Sequence, residues 1–598
     1  MLRAMQCMVK AHLLAAAVVV AGCGGDTPGG SDGQALGEAA NAALQQDLSI
    51  YAGVDRPDVN VLLISLDSVR RDFVSCYGYQ PPHAPDEKTT PNIDAIAGEG
   101  VIFDQWYANS SWALPTHVSM LTGQPDIIHG VDLEFFAVHE SRPSLASVLK
   151  EVGYATAGFY GSPALAPRFG FDRGFDEYRS CYGPKLAEAI IGRVSLQAEI
   201  DVAMQAGDTA RSTELTQVLR RRDKALTVRS MADRSADRVT DAALAAIERA
   251  ESARRPWFVF AHYFDPHHDY DPPAEYGRRF DPEYAGKISG RGYFGNPAVG
   301  VYSKDPNLNR RQRIINDRDL DHIKALYAGE IAWTDAQVGR LLDSLRERGV
   351  LDDTLVVVTS SHGCEFFEHG GIAEGGSLFE EQLRVPLILR HPGSLPSGVR
   401  VSGLASHADL MPTLLEVLGL PAPASLASVS AAGLIDGSQD PSGRSVLARL
   451  VQVEKMTVVK GPRVIRHTVR EAFLRDDIKV MRWRRWPEPM SGLPLDRLER
   501  VEEQAATARQ ADFLLRWVDL TATPGEAFKD RREDFDADPR ASGALAEFAR
   551  VYEGLLAQPQ PVSAAMSRKG LAVARSKPGF EAKIAERQAK HLLGPPGK

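Results

Sequence analysis

The chain has 598 residues, of which 44% are hydrophobic and 25% are charged, and its formal net charge is −9. This length exceeds that of one typical domain and predicts a large domain with a smaller companion. The negative charge is mild and Lys and Arg are dispersed, so no nucleic-acid partner is expected.

The N-terminus has the pattern of a secretion signal. A short basic stretch precedes an apolar run, Leu13 to Ala21, which is shorter than the ~20 residues that span a bilayer. The run ends in V-A-G-C at Val20 to Cys23, which resembles a bacterial lipobox and implies cleavage before Cys23 and lipidation there. The alternative is an ordinary signal peptide with an incidental cysteine. We predict a signal peptide over 1–22, a flexible Gly-rich tether over 23–52, and an exported protein anchored by membrane lipid in the bacterial cell envelope.

Three cysteines follow Cys23 in the chain: Cys76, Cys181 and Cys364. An odd number cannot form a closed disulfide framework. One bridge between Cys76 and Cys181 and three unpaired thiols are both compatible with the sequence.

Three apolar, β-rich runs predict strands that are buried on both faces of one sheet: Val59–Asp67, Pro256–Asp265 and Thr354–Gly363. Helical patterns lie between them. This alternation predicts an α/β fold, with a largely parallel sheet covered by helices on both faces. Such sheets bind ligands beyond the carboxyl ends of their strands, where Asp67 lies.

Composition suggests further divisions of the chain. We assign 53–425 to the α/β domain, and within it about 185–252 to a charged helical insert that is either a solvated excursion or a lid. A smaller C-terminal α+β subdomain is predicted over 426–538, and a helical, polar tail over 539–598. The segment Lys479–Trp486 is interpreted as a strand, with a glycan-binding patch as the alternative.

An ordered set of motifs between Val59 and Pro421 resembles the sulfatase family of the alkaline-phosphatase superfamily. The motifs are L-I-S-L-D-S-V-R-R-D, T-T-P-N-I-D-A-I-A-G-E-G-V-I-F, L-P-T-H-V-S-M-L-T-G, H-Y-F-D-P-H-H-D-Y-D-P-P, T-S-S-H-G and A-D-L-M-P-T-L-L. The resemblance implies a hydrolase of sulfuric or phosphoric esters. It also implies a divalent cation, usually calcium, held by carboxylates, and a nucleophile that is formylglycine, Thr or Ser.

The resemblance places the metal ligands on two strand ends. Asp67 matches the first metal carboxylate and His362 a retained ligand. Ser68 and Ser361 occupy ligand positions that are commonly Asp. We therefore expect a weak or absent cation, although Glu365 and Glu368 offer replacement oxygens.

The resemblance also places Ala113 at the nucleophile position, where a methyl group can neither attack nor become formylglycine. His117 replaces the motif's Arg, His267 matches the substrate-facing His, and Glu374 stands where His is usual. Thr116 is interpreted as a helix N-cap, with a replacement nucleophile as the alternative.

These substitutions lead to three hypotheses. The first is a degenerate sulfatase whose cleft, with His117, His267 and His362, binds a sulfated or phosphorylated glycan or a small anion. The second is an active hydrolase with a rearranged site that uses Thr116 or a metal-activated water. The third is a structural envelope protein without a ligand.

Overall fold

A computed structural model of the chain describes residues 41–132, 136–184, parts of 186–219, 233–290, 315–456, 464–489, 514–520, 538–557 and 565–566. The predicted signal peptide, much of the tether and Cys23 lie outside the described residues. Within the described ranges, no helix is both long and apolar enough to cross a membrane.

The strands, in chain order, are β1 Asn60–Leu66, β2 Val101–Tyr107, β3 Phe136–Ala137, β4 Ala155–Tyr160, β5 Glu177–Ser180, β6 Trp257–Tyr263, β7 Thr354–Ser360, β8 Glu365–Phe366, β9 Ile372–Ala373, β10 Arg384–Arg390, β11 Val399–Val401, β12 Ala405–Ser406, β13 Ser445–Met456, β14 Val464–Arg475, β15 Ile478–Pro489, β16 Leu514–Asp519 and β17 Ala565–Met566.

The α-helices, in the same order and besides residues 41–48 and the helical residues among the described parts of 184–219, are α1 Pro91–Gly98, α2 Ala113–Thr122, α3 Asp126–His129, α4 Leu145–Glu151, α5 Ala236–Ser252, α6 Ala274–Gly277, α7 Asp317–Glu347, α8 Glu380–Leu383, α9 Leu410–Val417, α10 Ala432–Ile435 and α11 Pro539–Ala557.

The central sheet has the strand order β11-β2-β10-β7-β1-β6-β4-β5, with β12 paired to β2. Every pairing in it is parallel except those of β10, which runs antiparallel to β2 and β7. The three apolar runs of the sequence form β1, β6 and β7, which are neighbours at the centre of the sheet. The predicted fold class is therefore confirmed.

Strand β1 is continuously apolar because both of its faces are covered. Leu62 and Ile64 belong to a core shared with α1, α5 and α7, whereas Val61 and Leu63 belong to a core shared with α2, α4 and α9. All four side chains are fully buried. A strand with helices on both faces has no polar face, and this removes the alternation typical of half-exposed strands.

A second sheet follows the central one. Strands β13 to β16 form an antiparallel sheet in sequence order, and α11 packs on it through Phe548, which stacks on Phe473 at 5.3 Å. The strand interpreted at Lys479–Trp486 is confirmed as part of β15. Lys479 is buried, and its Nζ lies 3.0 Å from a carboxylate oxygen of Glu380, so this lysine does not contribute to a surface patch.

The three described cysteines are separate thiols. Cys181 and Cys364 are buried and Cys76 is partly buried. Burial raises the pKa of each thiol to about 12. The bridge between Cys76 and Cys181 is not formed in this structure.

The long helix α7 holds the loop that follows β1. The hydroxyl of Tyr327 donates to the carbonyl of Ser68 at 2.7 Å and accepts from the backbone N–H of Arg70 at 2.8 Å. Ser68 has a φ of 60°, in the left-handed region that non-glycine residues rarely adopt. Tyr327 therefore fixes a strained backbone immediately after Asp67.

We expect Tyr327→Phe to destabilise the protein by about 1–3 kcal/mol, because it leaves a buried N–H and a buried carbonyl without a partner. Chemical unfolding measures the change. Tyr51→Phe is the matched control, since it removes a single hydrogen bond, to the Pro421 carbonyl, from another part of the fold. Equal stability of Tyr327→Phe and the wild-type protein would show that Tyr327 does not hold the loop.

Candidate functional site

The centre of the candidate site is the Asp67 carboxylate, which follows β1 and is fully buried. Its Oδ1 accepts a hydrogen bond from the Ser361 hydroxyl at 2.9 Å and lies 3.2 Å from Nε2 of His362. Its Oδ2 lies 3.4 Å from Nε2 of His262. Burial opposes ionisation, but the two histidines outweigh it and lower the pKa of Asp67 well below its ordinary value. The carboxylate is therefore charged and surrounded by donors.

Strand register explains why these groups meet. Leu66 is paired with Tyr263 on one side and with Ser360 on the other, so the residues after β1, β6 and β7 share one edge of the sheet. Ser361 also donates its backbone N–H to the Leu66 carbonyl at 2.8 Å. The structure thus brings Asp67, Ser361 and His362 together, as the sequence positions imply.

His117 connects α2 to the same edge. Its Nε2 lies 2.9 Å from the Ser65 hydroxyl on β1, and its Nδ1 lies 2.7 Å from the Ala113 carbonyl. Burial and the neighbouring His262 lower its pKa well below the ordinary value, so the ring is neutral. Both nitrogens are occupied by bonds within the protein, and His117 offers neither of them to an anion.

Helix α2 begins at Ala113, whose side chain is buried. The interpretation of Thr116 as an N-cap is wrong, because Trp112 is the residue before the helix and Thr116 lies inside its first turn. The Thr116 hydroxyl donates to the Trp112 carbonyl. The earlier start is compatible with Pro115, because the first turn of a helix does not need its N–H.

A second polar cluster consists of His267, His268 and Glu374, which are all buried. One oxygen of Glu374 lies 3.0 Å from Nε2 of His267, and the other lies 3.0 Å from Nδ1 of His268. Burial alone would lower the pKa of His267, but Glu374 outweighs it and raises the pKa to about 9. The substituted position at Glu374 therefore bridges two histidines.

The loop before α2 borders this second cluster. The carbonyl of Ser111 accepts the backbone N–H of Gly375 at 2.8 Å. The hydroxyls of Ser110 and Ser111 are buried, and neither has a hydrogen-bond partner among the described residues. Two buried hydroxyl donors thus lie at the beginning of α2.

The two carboxylates predicted as replacement metal ligands have other partners. Glu368 pairs with Arg70 at 2.6 Å. Glu365 accepts hydrogen bonds from Ser377 and Gln382, each at 2.7 Å. Neither is a partner of Asp67 in this structure.

The residues around Asp67 do not fit the calcium ion that the resemblance implies. Calcium takes ~6–8 oxygen ligands, and several of them are normally carboxylates. Here the side chains that could offer ligand atoms are the Asp67 carboxylate, the Ser68 and Ser361 hydroxyls, and the imidazoles of His262 and His362. Asp67 Oδ2 and His362 Nε2 each lack a well-formed hydrogen bond. They nevertheless do not make a calcium site, because an imidazole nitrogen is a poor substitute for an oxygen ligand of calcium.

Sequence reasoning missed two members of the site. His262 lies within a strand of seven buried residues, so it looks like a core position. His268 follows His267 in the sequence but matches no site position that the resemblance implies. The doubled histidine is a signal that could have identified it, since imidazole pairs are common in metal sites.

Comparison with known proteins agrees with this architecture. The sulfatase family model matches residues 59–420. The chain is 24% identical over 381 residues to the uncharacterized sulfatase YidJ of Escherichia coli, covering 61% of this chain and 68% of that protein. It is 26% identical over 399 residues to an arylsulfatase of Clostridium perfringens, covering 63% and 78%.

Among solved structures, the phosphonate monoester hydrolase of Agrobacterium radiobacter has the same fold, with a TM-score of 0.55 and 20% identity over 84% of this chain and 96% of that one. Because the family match extends from the start of β1 through α9 and includes every strand end of the site, this chain belongs to the sulfatase family.

Proposed function

We propose that this protein is a degenerate sulfatase that has lost covalent catalysis and binds an anionic group in its cleft. The observation that carries the proposal is Ala113 at the first position of α2, beside the strand edge that holds Asp67. A nucleophile needs a reactive atom and an adjacent base, and a methyl group supplies no such atom.

Neighbouring hydroxyls do not take over the role of a nucleophile. The Thr116 hydroxyl donates a hydrogen bond to the Trp112 carbonyl. Ser110 and Ser111 have no hydrogen-bonded base among the described residues. Losing one member of a catalytic unit commonly lowers the rate by ~10³ or more.

Two features support anion binding. The N-terminus of α2 presents backbone N–H groups, and a helix N-terminus favours negative charge. The buried hydroxyls of Ser110 and Ser111 add two donors at the same place. A sulfated or phosphorylated glycan, or a small anion, has the oxygens that such donors recognise.

The proposed location is the bacterial cell envelope. The basic stretch, the apolar run and the lipobox-like V-A-G-C support export and lipid attachment at Cys23. A lipid anchor would leave the sulfatase-like domain tethered at a membrane surface by a Gly-rich segment.

A second candidate is an active hydrolase of sulfuric or phosphoric esters with a rearranged site. The His267–His268–Glu374 cluster favours it, because this donor set suits a divalent metal. Such a site would supply activated water in place of the missing nucleophile.

We expect no turnover of 4-nitrophenyl sulfate or of an aryl phosphonate monoester above the rate of Asp67→Ala, because no nucleophile is available. Release of 4-nitrophenol measures the rate, with each of calcium, manganese and zinc present in turn. Turnover that depends on Asp67 would contradict degeneracy. If Thr116→Ala also abolishes that turnover, Thr116 is the nucleophile. If Thr116→Ala retains the turnover, metal-activated water is favoured.

We expect Ser361→Asp to create a calcium-dependent protein. The Ser361 hydroxyl lies 2.9 Å from Asp67, so an added carboxylate would repel Asp67 and lower the thermal midpoint in EDTA. Calcium should reverse this loss, because at 100 times its dissociation constant it would add about 2.7 kcal/mol to the free energy of unfolding. Ser361→Asn is the neutral control and should not respond to calcium. An equal response of the wild-type protein would show that calcium still binds at this edge.

We expect Ser111→Ala to weaken the binding of inorganic sulfate by about tenfold, since one hydrogen bond contributes roughly 1 kcal/mol and more to a charged group. Isothermal titration calorimetry with sodium sulfate, against sodium chloride, measures the affinity. Ser119→Ala is the matched control, because Ser119 is buried in α2 but bonded to His129. The absence of sulfate binding to the wild-type protein would refute the proposed cleft.

A further inference from the structure

We propose that His267, His268 and Glu374 form a binding site for a divalent transition-metal ion of the zinc class. One ligand atom from each residue lies within 4.8 Å of the others. The three side chains are also secluded, with exposed fractions of 7%, 2% and 2%. Zinc sites with three protein ligands commonly combine histidine nitrogens with one carboxylate and keep a fourth position open.

The geometry around Glu374 leaves the three side chains close enough to share one metal ion. Its two oxygens contact different rings, at 3.0 Å from His267 Nε2 and 3.0 Å from His268 Nδ1. Ligand atoms in a tetrahedral zinc site are separated by slightly more than this, because zinc–nitrogen and zinc–oxygen bonds are ~2.0–2.2 Å long. Small side-chain rotations would therefore accommodate an ion between the three donors.

His267 is oriented as a metal ligand. Its Nδ1 donates a hydrogen bond to the His268 carbonyl at 2.7 Å, so Nε2, which faces Glu374, is the nitrogen that would bind an ion in place of its own proton. The ring also stacks on Phe264, with centroids 4.5 Å apart. A metal-bound histidine characteristically donates its other N–H to a carbonyl or carboxylate, which fixes the tautomer.

The donor set selects the class of metal. Two imidazole nitrogens with a single carboxylate suit zinc and other late divalent ions, whereas calcium and magnesium require oxygen ligands. The site therefore differs in chemistry from the calcium site that the sulfatase resemblance implies at Asp67. It also consists of different residues.

The position of the cluster gives the ion a role that rests on the proposed anion-binding function. His267 lies in the loop after β6, and Asp67 follows β1, its parallel neighbour in the sheet. Ser111 contacts Gly375, next to Glu374. A cation here would offset the negative charges of Asp67 and Glu374 beside the donors that face an incoming anion.

The test is metal binding by the full-length protein in detergent. The protein is stripped with EDTA and dialysed against zinc, calcium or magnesium, and the metal bound per chain is measured by mass spectrometry. Cobalt(II) substitution gives a visible spectrum that reports nitrogen and oxygen ligation. Sulfate is omitted, so that metal binding is measured independently of the anion.

Glu374→Gln removes the carboxylate with little change in shape. We expect the zinc dissociation constant of this variant to rise more than ~100-fold, because loss of a residue that only hydrogen-bonds to a metal ligand raises it ~10- to 100-fold. Glu365→Gln is the matched control, a buried glutamate close in the chain that is bonded to Ser377 and Gln382; it should bind zinc normally. Glu374→His supplies a third imidazole and should retain zinc, which separates ligand loss from misfolding.

About one zinc per chain in the wild-type protein, lost in Glu374→Gln and kept in the other two variants, would establish the site. The absence of zinc in the wild-type protein would overturn it, as would equal zinc in Glu374→Gln. Zinc that is lost only in Asp67→Ala would also overturn it, by placing the ion at β1. Zinc binding without sulfate binding would leave this site standing and refute the proposed anion-binding function.

Discussion

The arrangement of the site follows from one buried negative charge. The Asp67 carboxylate is completely removed from solvent, and an isolated charge in such a place would be prohibitively costly. Two imidazoles and the Ser361 hydroxyl stabilise it here. In the pattern that the sulfatase resemblance implies, a divalent cation would perform this task. The present chain thus offsets the charge of Asp67 with one hydroxyl and two nearby imidazoles, although Oδ2 lacks a well-formed hydrogen bond. This explains how the edge of the sheet remains folded with only one of the implied aspartates.

The same balance explains why the substitutions occur together. A second carboxylate at position 361 would face Asp67 across 2.9 Å, the present hydroxyl contact, and would need a cation between them. Serine removes that need, because its hydroxyl donates a hydrogen bond to Asp67 instead. If this edge binds no strong cation, as proposed, a nucleophile at position 113 has little to stabilise the charge that develops during attack. Alanine at that position is then consistent with its surroundings, and His117 is free to serve as a link between α2 and β1.

The sequence allowed the prediction of the sheet but only part of the site. Strands β1, β6 and β7 were predictable because buried parallel strands have continuous apolar runs, and the position of Asp67 followed from the end of such a run. His262 was not predictable, since only the register that pairs it with Ser65 places it beside Asp67. The contact between His268 and Glu374 joins residues 106 positions apart, and no local pattern encodes that distance. The predicted start of α2 was wrong because threonine is a common N-cap residue, whereas this helix begins earlier, at Ala113, and has Thr116 in its first turn.

Relative to the pattern of the sulfatase resemblance, the chain loses a carboxylate at Ser361 and gains one at Glu374. The number of acidic groups at this pair of positions is therefore unchanged, but the charge has moved from the end of β7 to the segment after β9. At its new position the carboxylate faces two imidazoles instead of another aspartate. Hard oxygen clusters favour calcium, and mixed nitrogen and oxygen clusters favour zinc. Under the two proposals above, moving one carboxylate changes the ion that the cleft prefers while the scaffold that carries it stays the same, so the proposed loss of covalent catalysis and the proposed preference for zinc have a common physical cause.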